Sequence, residues 1–169
     1  MKLLKILGIS IAFSVLLPLN SCTDPCKDKI CVRGYCIDGD CFCLDGYSGE
    51  FCEIAERDKF KGNYLGQQSC PEGVQSLKLR INEDGDDPRT VNLIIDNFGV
   101  EIMLRANVRK DSIYIPNQWV LINYHSGPLT NLFGDSIGIL KGDSLLVFDL
   151  RYYYEDGIFD TCVIEAKKD

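Results

Sequence analysis

From about Phe60 onward the chain alternates apolar and polar residues with a period of two. SLKLRIN sets Leu77, Leu79 and Ile81 against Lys78, Arg80 and Asn82. TVNLIID repeats the pattern with Val91, Leu93 and Ile95, and VEIMLRANV with Val100, Ile102, Leu104, Ala106 and Val108. SIYIP, QWVLINYH, DSIGILK, SLLVFDLRYYY and TCVIEAK are rich in β-branched and aromatic residues. Successive side chains of a strand point to opposite faces, so these runs predict strands with one face buried. The segments between them, NEDGDDP, DNFG, RKDS, SGPLTN, KGDS and YEDG, read as hairpin turns. No amphipathic helical stretch interrupts the series. Eight or nine strands are expected in about 110 residues. Consecutive antiparallel strands with short turns form a meander that curls into a barrel or folds into a sandwich.

The first residues follow a different pattern. MKLLKILGISIAFSVLLPLNSC opens with Lys2 and Lys5 and continues as an apolar run from Ile6 to Leu19. A run of about 14 residues suits the apolar region of an export signal and is shorter than the roughly 20 that span a bilayer. Its end, LNSC, resembles a bacterial lipobox, with Leu19 three before the cysteine and small Ser21 just before Cys22. The resemblance implies cleavage before Cys22, a thioether link from Cys22 to diacylglycerol, and acylation of the new amine. One acyl chain holds a protein marginally, whereas two or more hold it firmly.

Between these regions, CKDKICVRGYCIDGDCFCLDGYSGEFC places six cysteines in one short segment: Cys26, Cys31, Cys36, Cys41, Cys43 and Cys52. Its large apolar residues, Ile30, Val32, Tyr35, Ile37, Phe42, Leu44, Tyr47 and Phe51, are too few to bury a core that offsets chain entropy. Disulfides at roughly 2–4 kcal/mol each take that role. Gly34 and Gly39 fit turns, and DGD before Cys41 reads as a tight hairpin turn. Six cysteines allow 15 connectivities. A zinc cluster fits poorly, since there is one CxC, no CxxC pair and no nearby histidine. The half CFCLDGYSGEFC resembles the C-x-C-x2-G-aromatic-x4-C signature of EGF-like modules, through Cys41, Cys43, Gly46, Tyr47 and Cys52, with Gly49 also at a customary glycine position. The resemblance implies the pairs Cys26–Cys36, Cys31–Cys41 and Cys43–Cys52. Some such modules bind calcium, but Asp24 and Asp38 do not supply the six to eight oxygens that ion takes.

Of nine cysteines, one is then lipidated and six lie in the small module. The remaining two, Cys70 and Cys162, sit near the start and end of the strand-rich region, where closing a meander makes first and last strands neighbours. The opening GNYLGQQSC and the late strand bearing the matching cysteine look like lipocalin-like β domains of bacterial lipoproteins. The full expectation is mainly β. It comprises a signal peptide at 1–21, a lipid-anchored tether at 22–25, an EGF-like module at 26–53, a linker at 54–59, and an antiparallel barrel or sandwich at 60–169.

Composition narrows the function. The net charge is −7, and loss of Lys2 and Lys5 would make it −7 − 2 = −9. An acidic chain without a basic run is a poor partner for nucleic acid. Dense cysteines point to an oxidising compartment. His125 is the sole histidine, Ser126 lies in no G-x-S-x-G motif, and no glycine-rich phosphate loop occurs. NEDGDDP carries four carboxylates without the spacing of a calcium loop. Asp149 and Arg151 share a face of an apolar strand, as an ion pair or as the lining of a polar cavity. No enzyme activity, cofactor or metal is expected. The aromatic residues Trp119, Tyr124, Tyr152, Tyr153 and Tyr154 are candidate contacts for a protein or glycan, since rings with polar tips suit such surfaces. The expected protein is an envelope lipoprotein of the bacterial outer membrane, a non-catalytic binding or adhesion module with a rigid EGF-like spacer. It would touch the membrane through its N-terminal lipid and an envelope protein or glycan through its β domain. The alternatives are a structural subunit of an envelope complex and a carrier of a small apolar ligand.

Overall fold

The computed structural model describes residues 24–97, 100–124, 127–153 and 159–169. The expected signal peptide and Cys22, with His125, Ser126 and Tyr154, lie outside the described residues, and of Tyr124 and Tyr152 only the backbone is described.

The molecule is mainly β, with a disulfide-rich N-terminal part and a closed barrel. In the N-terminal part, β1 (Gly34–Ile37) pairs with β2 (Asp40–Cys43), and β3 (Tyr47–Ser48) with β4 (Ile54–Ala55). The β1–β2 turn is Asp38-Gly39, both at positive φ, 51° and 92°. That is the two-residue hairpin geometry which Asp-Gly favours. Three bridges join Cys26 to Cys36, Cys31 to Cys41 and Cys43 to Cys52.

The barrel strands are β5 (Gly62–Cys70), β6 (Gly73–Glu83), β7 (Thr90–Asn97), β8 (Val100–Arg109), β9 (Ser112–Ile115), β12 (Ser136–Lys141), β13 (Leu145–Tyr153) and β14 (Phe159–Lys168). Each pairs antiparallel with the next, and β14 returns to pair with β5 from Val163↔Ser69 to Lys168↔Tyr64. Between barrel and sandwich, the fold is therefore a closed eight-strand barrel. A disulfide links Cys70 to Cys162 across the closing strands.

Alternation along the strands decides what lies inside. Leu77, Leu79 and Ile81 of β6 are buried while Lys78, Arg80 and Asn82 face outward. The buried cluster continues through Val91, Leu93, Ile95, Leu104, Val108, Ile113, Leu146, Phe148, Leu150 and Ile164, with Phe60 and Tyr64 among its members. An eight-strand barrel is just wide enough for side chains to fill it. Gly138 shows how tight the packing is. A methyl group there would come within 2.6 Å of Phe148 Cβ and 2.7 Å of Ile113 Cγ2.

Among the described residues, ten strands, rather than eight or nine, follow Phe60. One of the extra strands comes from a segment whose start, SGPLTN, resembles a turn. Gly127–Phe133 is β11, paired along its length with β10 (Gln118–Tyr124). Gly127 and Pro128 look like punctuation, but proline is tolerated near the start of a strand with an open edge. Among the described residues, β13 engages β11 at Leu132 and Phe133. The β10–β11 hairpin thus leaves the barrel between β9 and β12.

Candidate interaction surfaces

The segment 54–59, expected as a linker, is β4 followed by a 3₁₀ turn, Glu56–Lys59, held against the β6–β7 loop. Arg57 donates from its backbone N–H to Pro88 O (2.9 Å) and from Nη1 to Gly85 O (2.8 Å) and Asp87 O (2.7 Å). Its Nη2 lies 3.3 Å from Glu83 Oε2. Arg89 reaches back to Asp45 of the small module at 2.7 Å, and a methyl on Gly46 would strike Pro88. Asp84 pairs with Arg105, and Asp87 Oδ1 accepts the Arg89 N–H. Glu83 and the carbonyls of Gly85 and Asp87 therefore serve a joint between module and barrel, while the Asp84 and Asp87 carboxylates brace the loop on the barrel itself. Among the described residues, no group of three His, Cys, Asp or Glu is arranged to hold a metal.

Charge settles the same joint. Burial works against ionisation of Asp58, but hydrogen bonds from Lys61 and the Ala55 N–H, with the nearby charges of Lys61 and Arg57, hold its carboxyl below the ordinary range. Lys61 is raised correspondingly, first by its hydrogen bond to Asp58. Next to it, Phe60 is fully buried and its carbonyl accepts the Tyr64 hydroxyl at 2.7 Å. Burial pushes the Tyr64 phenol up to about 12.

At the β10–β11 hairpin, Gln118 replaces a missing strand neighbour. Strand β9 pairs only with the Asn107–Arg109 end of β8. Beyond that, the Gln118 amide accepts the Arg105 N–H and donates to the Arg105 C=O, both at 2.8 Å. Asp135 accepts from both the Tyr114 hydroxyl and the Asn117 N–H at 2.9 Å, tying the hairpin base to β12. The hydrogen bond to Asp135 disfavours the Tyr114 phenolate and raises its pKa. Cross-strand partners share a face. Trp119 is opposite Leu132, and Leu132 opposite Tyr153, so the register sets Trp119 and Tyr153 in one row. Trp119 is 69% exposed. The Tyr153 ring is half-buried over Gly134, where a methyl would come within 2.6 Å of it. Asp149 and Arg151 project outward from β13, so neither lines the barrel interior.

The small module carries a second surface that the sequence reading did not single out. Tyr35 and Phe42 are cross-strand partners and their rings stack, with centroids 6.3 Å apart. Ile37 lies on the same face of β1 as Tyr35, and Leu44 follows Phe42 in phase beyond β2. All four are exposed, at 57% (Tyr35), 42% (Ile37), 52% (Phe42) and 52% (Leu44). The signal was present in GYCIDGDCFCL. Apolar residues alternate there with Cys36, Cys41 and Cys43, and cysteines turned inward to bridge leave their neighbours turned outward.

No family model and no curated protein matches the chain. The surfaces must therefore be read from their own chemistry.

Proposed function

We propose that this chain is a bacterial cell-envelope lipoprotein, anchored through Cys22, whose barrel is a non-catalytic binding or adhesion module presented on an EGF-like spacer. The 1–3, 2–4, 5–6 bridge order supports the EGF-like reading of the module. The closed eight-strand meander supports the lipocalin-like reading of the barrel. The observation that carries the functional choice is the contrast between inside and outside. Buried aliphatic side chains of the barrel's own strands pack together inside, while Trp119, Tyr114 and Ile137 stand on the outside. Such a barrel favours recognition of an envelope protein or glycan by its surface over carriage of a small apolar ligand.

The test has two arms. Intact mass of protein extracted from native membranes reads the diacylglyceryl group on Cys22, with Cys22→Ser as the unmodified control. Crosslinking on intact cells then compares the wild type with Trp119→Ala. A specific adduct that disappears in Trp119→Ala while the barrel stays folded supports the reading. An adduct unaffected by Trp119→Ala, or none, removes the barrel surface from recognition.

A further inference from the structure

We infer that the outward face of the β1–β2 hairpin, Tyr35, Ile37, Phe42 and Leu44, rests in the interfacial layer of the bilayer that holds the anchor. The inference rests on the Cys22 anchor and adds a contact that the lipid alone does not provide.

Three observations converge on it. The first is reach. Only two residues, Thr23 and Asp24, lie between Cys22 and Pro25, so three Cα–Cα steps span at most about 11 Å of extended chain. The second is where that short tether ends. Pro25 packs on the hairpin tip, where a methyl on Gly39 would lie 3.4 Å from Pro25 Cβ. The hairpin tip is therefore the part of the folded protein beside the lipid attachment point. The other end of the hairpin leads through Leu44 and Asp45 to Gly46, which meets the barrel at Pro88 and Arg89. The module thus has one end at the anchor and one at the barrel.

The third observation is chemical. The hairpin face is apolar in its middle, with a stacked Tyr–Phe pair, and charged at its margins, with Asp38 and Asp40 at the tip and Arg33 beyond Tyr35. An aromatic ring with a polar tip suits the boundary between headgroups and acyl chains. Interfacial binding grows with the apolar area buried, while charges keep a segment from entering the hydrocarbon. Asp38 and Asp40 accordingly hold the tip at headgroup depth while Tyr35, Ile37 and Phe42 cover themselves with the acyl boundary. A second copy of the chain could cover the same face, but the tether places the bilayer next to it.

A single-tryptophan reporter tests this. Tyr35→Trp is made in a Trp119→Phe background, and the lipidated protein is reconstituted into phosphatidylcholine vesicles carrying a nitroxide just below the headgroups. Intact mass confirms the diacylglyceryl group in the same preparation. The expected result is a blue shift of emission on reconstitution and loss of intensity to the nitroxide. An Ile137→Trp reporter on the barrel, in the same background, is expected to show neither. Lipidated protein whose Tyr35→Trp emission stays water-like and unquenched overturns the seat and leaves the anchor standing. Protein without diacylglycerol overturns the anchor reading and the seat together. A blue shift in lipid-free Cys22→Ser protein that grows with concentration overturns the seat in favour of self-association.

Discussion

The small module and the barrel solve the same problem, holding a chain against its own entropy, by opposite means. The barrel buries alternate residues of eight strands and needs one covalent link, Cys70–Cys162, at its closing seam. The module has three bridges among the residues from Cys26 to Cys52, and Ile30, Val32, Tyr35, Ile37, Phe42, Leu44 and Phe51 are exposed. Covalent staples free a small segment from the need to hide its apolar side chains. Those side chains then become available for contacts outside the molecule.

That contrast can be broken at several points. Replacing the six module cysteines with serine removes bridges worth roughly 2–4 kcal/mol each and should unfold the module outright. Limited proteolysis should then cut within residues 26–52 and leave 60–169 intact. Loss of the barrel as well would show that the two are not independently stabilised. Replacing only Cys70 and Cys162 should cost the barrel about 4–5 kcal/mol on the loop-closure argument, read as a lower urea midpoint with the β spectrum retained.

Single substitutions sharpen the difference. Leu104→Ala, at a fully buried site, should lower barrel stability by about 2–5 kcal/mol in denaturant titration. Leu44→Ala, on the exposed module face, should stay within about 0.5 kcal/mol in the soluble protein. A comparable cost at Leu44 would mean that the module has a core after all. At the joint, Arg57→Ala strips the side-chain donors from Gly85 O and Asp87 O and should cost about 1–3 kcal/mol. Calorimetry should show the module's contact with the barrel loosening as a broadened or split transition.

A pH-dependent effect is expected at Tyr64. Its folded pKa, about 12, lies above the ordinary 10.0. The protonated phenol is therefore the form the fold favours. Its contribution is complete below pH 10 and is lost as pH rises toward 12. Tyr64→Phe should lose about 1 kcal/mol at neutral pH with the bond to Phe60 O, and should show a weaker alkaline decline in thermal stability.

Much of the fold was legible because period-two patterning is a direct image of a strand with one wet face. SLKLRIN, TVNLIID and VEIMLRANV became β6, β7 and β8 with the expected residues inside, apart from Val100, whose side chain is not described. Closure was legible only as an alternative, since a meander that curls and one that folds over share the same local pattern. Pairing of β14 with β5 decides it, and that contact is far apart in sequence. Strand β11 was hidden because Gly127 and Pro128 carry turn chemistry while the partner that makes the segment a strand, β10, precedes the turn. The joint was hidden for a related reason. NEDGDDP has enough carboxylates to suggest a metal, whereas much of its binding capacity is backbone carbonyl oxygen taken up by Arg57, which composition does not reveal. Of the proposed aromatic contacts, Trp119 stands exposed, Tyr153 is half-covered, the side chains of Tyr124 and Tyr152 are not described, and Tyr154 falls outside the described residues.

The position of β5 has a mechanical consequence. It closely follows the 3₁₀ turn that leads from the small module, and it is flanked along its length by β6 and along most of it by β14. A pull transmitted from the N-terminal side therefore enters a strand loaded in shear along two hydrogen-bonded ladders, with a covalent stop at its far end. Peeling would break those bonds one at a time. Shear makes many of them yield together, so the barrel resists tension applied through its N-terminal side far better than a strand peeled from one end.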